Sequence, residues 1–410
     1  MNDLHHLLRE ATDHLAQPDL VGPALASARR TRARRATATG VAVTVLVLGG
    51  VAWAVGDHDP RADVTDASTP TPSPTSVPTA VTTGEADLGT QPQWDPFDVI
   101  HAPRRDSVLP VRLDPPESPP SVLDAPLPSV ALAWPEEGRE LRLLGTNGEW
   151  RSVPGTASVA PSSLRDVADP AIASDGSLVA FSSEAGLWVV DVVAGERTVL
   201  PWPEEIAGPT DTPAAVRWLP GDDAVLVLHW RTPWAMGLDG SDEPVSYLDQ
   251  YTGGLAIDPD GPVLERRFQT GEIVEWLDGE VVRRVDDGGI AWGERAAAGY
   301  GLFAITASLG DWPHAGPVVI DAGTGERVAY APVRDRNGVY SDNGRLTAKG
   351  FLDEDTLLLL VGPMDFRTME PGEGEWHLVA WSFRSGGFEL LASGDDRMHA
   401  VAVAPALLAE

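Results

Sequence analysis

Hydrophobic positions follow two regimes along this chain. From Ala36 to Val55 there is not one charged side chain. After Ser129 the apolar positions come as short runs bounded by Gly, Asp, Asn or Pro. The clearest stretch is Asp169 to Leu200. There Pro170 to Ala173 reads as a strand, Ser174-Asp175-Gly176 as a turn, and Leu178 to Ser182 as a second strand. Leu187 to Asp191, a Gly195-Glu196 turn and Arg197 to Leu200 complete a second hairpin. Four antiparallel strands at this spacing have the size of one propeller blade.

Other segments repeat the pattern. Val216 to Asp223 precedes Val225 to His229, Leu255 to Gly261 precedes Val263 to Arg266, and Gly350 to Asp355 precedes Thr356 to Val361. The outer hairpin also recurs: Asp191-x-x-x-Gly195-Glu196-Arg197 returns as Asp321-x-x-x-Gly325-Glu326-Arg327. In each, the Gly suits a turn at positive φ and the Asp caps the strand exit. A fifth unit shows only Arg295 to Ala307 and has no acidic turn. The first unit has Val130 to Trp134, Leu141 to Leu144, an Asn147-Gly148 turn and Trp150 to Val153, but lacks an inner strand. His399 to Pro405 would supply it from the C-terminus, closing the ring and removing open sheet edges. The expected fold is an all-β propeller of six blades, or seven if residues 100–128 hide another.

These strand–turn–strand units resemble the TolB-type, WD-repeat-like propeller family, whose blades carry a W-S-P-D-G-x-x-I-A-F signature. The resemblance covers roughly residues 129 to 408. It implies an architecture and no particular activity.

The apolar stretch changes the picture of where such a propeller sits. At about 1.5 Å per residue, the helix Ala36 to Val55 would cross a hydrocarbon core of about 30 Å. Arg29, Arg30, Arg32, Arg34 and Arg35 precede it, and Asp57, Asp59, Asp63 and Asp66 follow. That asymmetry places residues 1–35 in the cytoplasm and the propeller outside the cell membrane, a single-pass topology. The alternative is a cleaved leader, with Val41 to Val51 as its apolar region and cleavage after Ala54, which would make the propeller a secreted one. Within residues 1–35, Leu4, Leu7, Leu8, Ala11 and Leu15 recur at helical spacing. Residues 1–28 would then dock a cytoplasmic regulator, or lie on the inner leaflet. Residues 56–95 are rich in Pro, Thr and Ser and read as a disordered stalk. Residues 96–128 stay Pro-rich but are apolar enough to pack along the propeller, residues 129–410. This order of parts is similar to a group of actinobacterial membrane-anchored propeller proteins.

Charge and composition narrow the chemistry. The formal net charge is −31, although residues 1–55 are net basic. An outer domain so acidic repels phosphate backbones, which excludes nucleic acid, and it suits a monomer. With no Cys, disulfides, thiolate metal sites and a cysteine nucleophile are excluded. No P-loop exists around Lys349, the single Lys. Gly299 to Ala304 mimics a dinucleotide fingerprint but leads into a strand, and Asp258-x-Asp260-Gly261 reads as a turn rather than a calcium loop. Neither a cofactor nor a metal is expected.

In a four-stranded blade the second-to-third-strand connections and the blade-to-blade connections share one face. Three of the former read as long: His229 to Gly237, Ser308 to Gly316 and Gly362 to Glu375. They carry Trp230, Arg231, Trp234, Asp311, Trp312, His314, Asp365, Arg367 and Trp376 as candidate ligand-binding residues, beside Glu370, Glu373 and Glu375. Aromatic and charged loops on a rigid scaffold are where binding usually resides. The expected function is a non-enzymatic extracytoplasmic binding or sensory module, with a cell-envelope protein, peptide or glycan as partner. Two alternatives stay open: a propeller hydrolase or lyase acting on envelope glycan or peptide, and a transmembrane regulator signalling through the cytoplasmic segment.

Overall fold

The computed structural model describes residues 93–96, 101–136, 138–157, 169–206, 214–228, 232–248, 254–259, 261–287, 289–309, 315–333, 346–365, 370–371 and 374–408. The expected cytoplasmic helix and membrane span, and residues 56–92 of the expected stalk, lie outside the described residues; residues 93–95 at its end are described, with Trp94 against the propeller. Among the described residues no helix is long and apolar enough to cross a membrane.

The chain is a six-bladed β-propeller. Blade 1 contributes β1 (Val130–Trp134), β2 (Leu141–Gly145) and β3 (Trp150–Val153). Blade 2 has β4 (Ala171–Ile172), β5 (Leu178–Ser183), β6 (Gly186–Asp191) and β7 (Glu196–Leu200). Blade 3 has β8 (Ala215–Trp218), β9 (Ala224–Leu228), β10 (Trp234–Gly237) and β11 (Asp242–Pro244). Blade 4 has β12 (Leu255–Ile257), β13 (Val263–Arg267), β14 (Glu272–Leu277) and β15 (Glu280–Asp286). Blade 5 has β16 (Ile290–Gly299), β17 (Leu302–Leu309), β18 (Ala315–Asp321) and β19 (Arg327–Tyr330). Blade 6 has β20 (Leu346–Asp353), β21 (Thr356–Val361), β24 (Trp376–Ser382) and β25 (Gly387–Gly394), with a separate hairpin of β22 (Met364–Asp365) and β23 (Glu370–Pro371) inserted between its second and third strands.

The ring closes as the C-terminal residues suggest. Strand β26 (Ala402–Val403) pairs antiparallel with β1, Leu132 opposite Val403 and Ala133 opposite Ala402. Blade 1 is thereby completed from the far end of the chain, and its order becomes β26-β1-β2-β3. Blade 5, the weakest in sequence, is regular in space. Its first two strands form a long hairpin around Tyr300 (φ 55°) and Gly301 (φ 72°), the left-handed pair that a two-residue hairpin turn requires.

Burial explains the hydrophobic pattern. Second and third strands are covered on both sheet faces by neighbouring blades, so they read as unbroken apolar runs. Thr356–Val361 is buried throughout, as is Trp376–Trp381. Outer strands meet water: β7 is exposed except at Leu200, and β15 has only Val285 half-buried.

No seventh blade forms at residues 101–128. This Pro-rich segment runs as a belt along the outer strands. Arg104 and Arg112 pair in parallel with Leu390 and Ser393 of β25, and Ser121 pairs in parallel with Ser152 of β3. At its start Trp94 pairs in parallel with Val333, just beyond β19. Proline removes N–H donors and favours extended backbone, so such a segment takes isolated bridges rather than a continuous ladder. Leu109, Leu113, Val122 and Leu127 anchor it, each at most 2% exposed.

Candidate functional site

The face of interest carries the connections from second to third strands. In blade 6 that connection is residues 362–375, by far the longest, and it leaves the sheet to form the β22–β23 hairpin, with Met364 opposite Pro371 and Asp365 opposite Glu370. In blades 3 and 5 it is shorter than the sequence suggests. Strand β10 already begins at Trp234 and β18 at Ala315, because both continue the ladder with the preceding strand.

The base of the blade 6 connection is tightly built. Trp376 starts β24 fully buried, and a Cβ on Gly362 would lie 2.0 Å from its ring, so only glycine lets the chain leave β21 there. Trp376 Nε1 finds no hydrogen-bond partner, and its ring lies in the same core cluster as Trp134, Leu109 and Leu113. On the outside Glu375 accepts from the guanidinium of Arg112 at 2.6 Å, which ties the belt to the foot of the hairpin. The neighbouring His377 is buried, and its Nδ1 lies 2.8 Å from Ser393 Oγ. Burial holds the His377 imidazole below its ordinary pKa, against an opposing pull from Glu375.

The sequence-named residues separate into three groups. Trp376 at 0% exposure and Trp234 at 7% are core residues, the latter packed with Trp218, Val227 and Met236. Their rings fill blade interfaces and present no stacking surface, because each belongs to the first residue of a third strand rather than to a loop. Asp365 lies at the end of β22, in the projecting hairpin. Trp230, Arg231, Asp311, Trp312, His314 and Arg367 lie outside the described residues. Among the described residues no group of three or more His, Asp or Glu is placed to hold a metal ion.

A polar cluster near the propeller axis has almost no signature in the sequence. Lys349, on inner strand β20, donates to the carbonyl of Val401 at 2.7 Å and lies 3.7 Å from a carboxylate oxygen of Asp169. Both side chains are less than one-tenth exposed. Asp169 precedes β4 and Val401 precedes β26, so the contact joins blades 6, 1 and 2 on the same face as the long connection. Its one sequence signal is that Lys349 is the single Lys of the chain. A second buried pair, Arg266 with Asp287 at 2.8 Å, braces the passage from blade 4 to blade 5, where Arg266 also donates to the carbonyl of Ile290.

No family model matches the sequence, and no curated protein matches it. Solved structures similar to the chain include TolB from Acinetobacter baumannii, 16% identical over 65% of this chain and 66% of that one, with a TM-score of 0.35. A streptogramin B lyase structure is 11% identical over 65% of this chain and 83% of that one, with a TM-score of 0.39. A nidogen/laminin complex gives 10% identity over 67% and 99%, with a TM-score of 0.40. The class of the protein is defined by its own blade topology: a six-bladed propeller closed by its C-terminal strand.

Proposed function

We propose that this chain is a binding module of the cell envelope, held by Ala36 to Val55 at the membrane with the propeller outside, and that it engages an envelope protein, peptide or glycan without turning it over. The observation that carries this reading is the blade 6 connection. A segment that leaves a rigid sheet, folds its own hairpin and is pinned at its foot by Trp376 and by Arg112–Glu375 has the character of a recognition loop. By sequence, Asp365 and Arg367 bring one charge of each sign to that connection.

The test is binding of solubilised full-length chain to purified cell-wall glycan and to wall peptides. Replacing Asp365 and Arg367 together by Ala should weaken binding about tenfold or more, roughly 1.4 kcal/mol, with Tm unchanged. Catalytic turnover of either substrate would replace this reading with the hydrolase or lyase one.

A further inference from the structure

The belt divides the outer rim into two unequal parts. It covers the outer strands of blades 6 and 1 and reaches the end of blade 5. Among the described residues, no strand is added to the outer edges of β7, β11 or β15, although the Gly323–Gly325 turn of blade 5 packs against Arg283, Val285 and Asp286 at the far end of β15. Three exposed large hydrophobic side chains among the described residues lie on these outer strands: Val199 of β7 and Val281 and Val282 of β15. Natural edge strands are normally short, charged or covered; β15 is charged at Glu280, Arg283, Arg284 and Asp286 but is long, with Val281 and Val282 40% and 52% exposed.

The belt itself shows what an edge of this propeller accepts. It lies parallel to the outer strand, exchanging backbone hydrogen bonds with Leu390 through Pro103 and Arg105, and with Ser393 through Val111 and Leu113. Its arginines meet carboxylates at the rim: Arg105 reaches Asp353 and Glu389 at 3.2 and 3.3 Å, and Arg112 reaches Glu375. The uncovered rim repeats those features. Glu196, Asp242, Glu243 and Glu280 are exposed on its three outer strands, while Arg283 and Arg284 of β15 are engaged with Glu275 and Glu272 of β14.

We propose that the outer edge of β15, with the adjoining rim of blade 3, docks an extended, arginine-bearing segment of a partner protein, added as a parallel strand in the way the belt is added to blades 6 and 1. Main-chain hydrogen bonds supply the affinity, Val281 and Val282 the apolar contact, and Glu280 and Glu243 the charge selection. This site is separate from the blade 6 connection and does not depend on it.

The experiment is hydrogen exchange on the solubilised full-length chain, with a synthetic peptide of residues 101–124 as the probe for this chemistry. The peptide should slow exchange at 280–286 about tenfold or more. Val282→Asp should weaken its binding about tenfold, while Val282→Thr keeps it, both with unchanged Tm because the side chain is exposed. Four results would overturn the proposal: no protection at 280–286, protection confined to 387–394, equal binding by Val282→Asp, or β15 amides already protected before peptide is added. In the last case, loss of that protection in Val81→Asp would assign the edge to the chain's own residues before Gln93. Protection that rises with protein concentration would assign it to a second copy.

Discussion

Lys349 donates to the main-chain carbonyl of Val401 at 2.7 Å, across the joint where the C-terminal strand closes the ring. The same ammonium faces Asp169 of the next blade. Blades 6, 1 and 2 are therefore tied by one side chain at the point where a propeller is weakest, since blade 1 is assembled from both ends of the domain. Removing one partner from a buried ion pair commonly costs about 3–5 kcal/mol, because the other charge stays buried. Lys349→Met should lower Tm sharply in thermal unfolding, and Lys349→Met with Asp169→Asn should recover much of the loss. Equal stability of the single and double variants would show that the ion pair is not the reason.

Gly316 and Gly186 lie at the start of the third strands of blades 5 and 2, as the second and first residue respectively, and each sits against the end of its outer strand. A Cβ would lie 2.2 Å from the carbonyl of Ala331 at one and 2.2 Å from that of Leu200 at the other. Both obstacles are backbone and must shift as a unit. Gly316→Ala should destabilise by about 1–3 kcal/mol, read as a lower denaturant midpoint with unchanged slope. Gly301→Ala tests the other constraint. It meets nothing within 4 Å but sits at φ 72°, so its cost should come from conformation alone, at about 1 kcal/mol.

Burial lowers the His377 pKa below 6.5, so its neutral form belongs to the folded state. The unfolded chain takes up a proton near that value while the folded chain resists it. The stability from this site is therefore full above about pH 6.5 and is lost as pH falls through the depressed folded pKa. Thermal unfolding followed from about pH 7.5 down to about 5 should show Tm declining, with a shallower decline in His377→Gln. An identical slope in the variant would remove His377 from the account.

The belt is held by packing more than by charge. Trp94 stacks on Phe388 with centroids 4.4 Å apart, and its Nε1 donates to the carbonyl of Ala331 at 2.9 Å. The Arg105 pairs are partly exposed and should contribute no more than about 1 kcal/mol. Trp94→Ala should thus expose residues 93–113 to limited proteolysis much more than Arg105→Ala does. The reverse order would place the belt's hold in its ion pairs.

Local patterns carried the blades. Asp191 and Asp321 accept from the main-chain amides of the turns they open, and Gly195 and Gly325 take φ 69° and 75°. Such turns depend only on neighbours in sequence, so the repeat is legible in the order of residues itself. Closure is legible too, because blade 1 visibly lacks a strand and residues 399–405 are a strand-like run left over at the other end of the repeats. Loop lengths are less so. Trp234 and Trp376 look like loop aromatics because a polar or Gly-rich stretch precedes each, yet both open a third strand.

What the sequence alone determined is therefore the repeat, the turn chemistry and the propeller class, with six or seven blades, all set by short-range backbone preference and hydrophobic period. Tertiary structure decided what depends on contacts between distant segments. It made residues 101–128 a belt, because the outer edges of β25 and β3 offered main-chain groups to pair with. It made the lone Lys a clasp, because ring closure brings residues 169, 349 and 401 together. Among the described residues it added no strand to β15, because the belt covers only part of the rim.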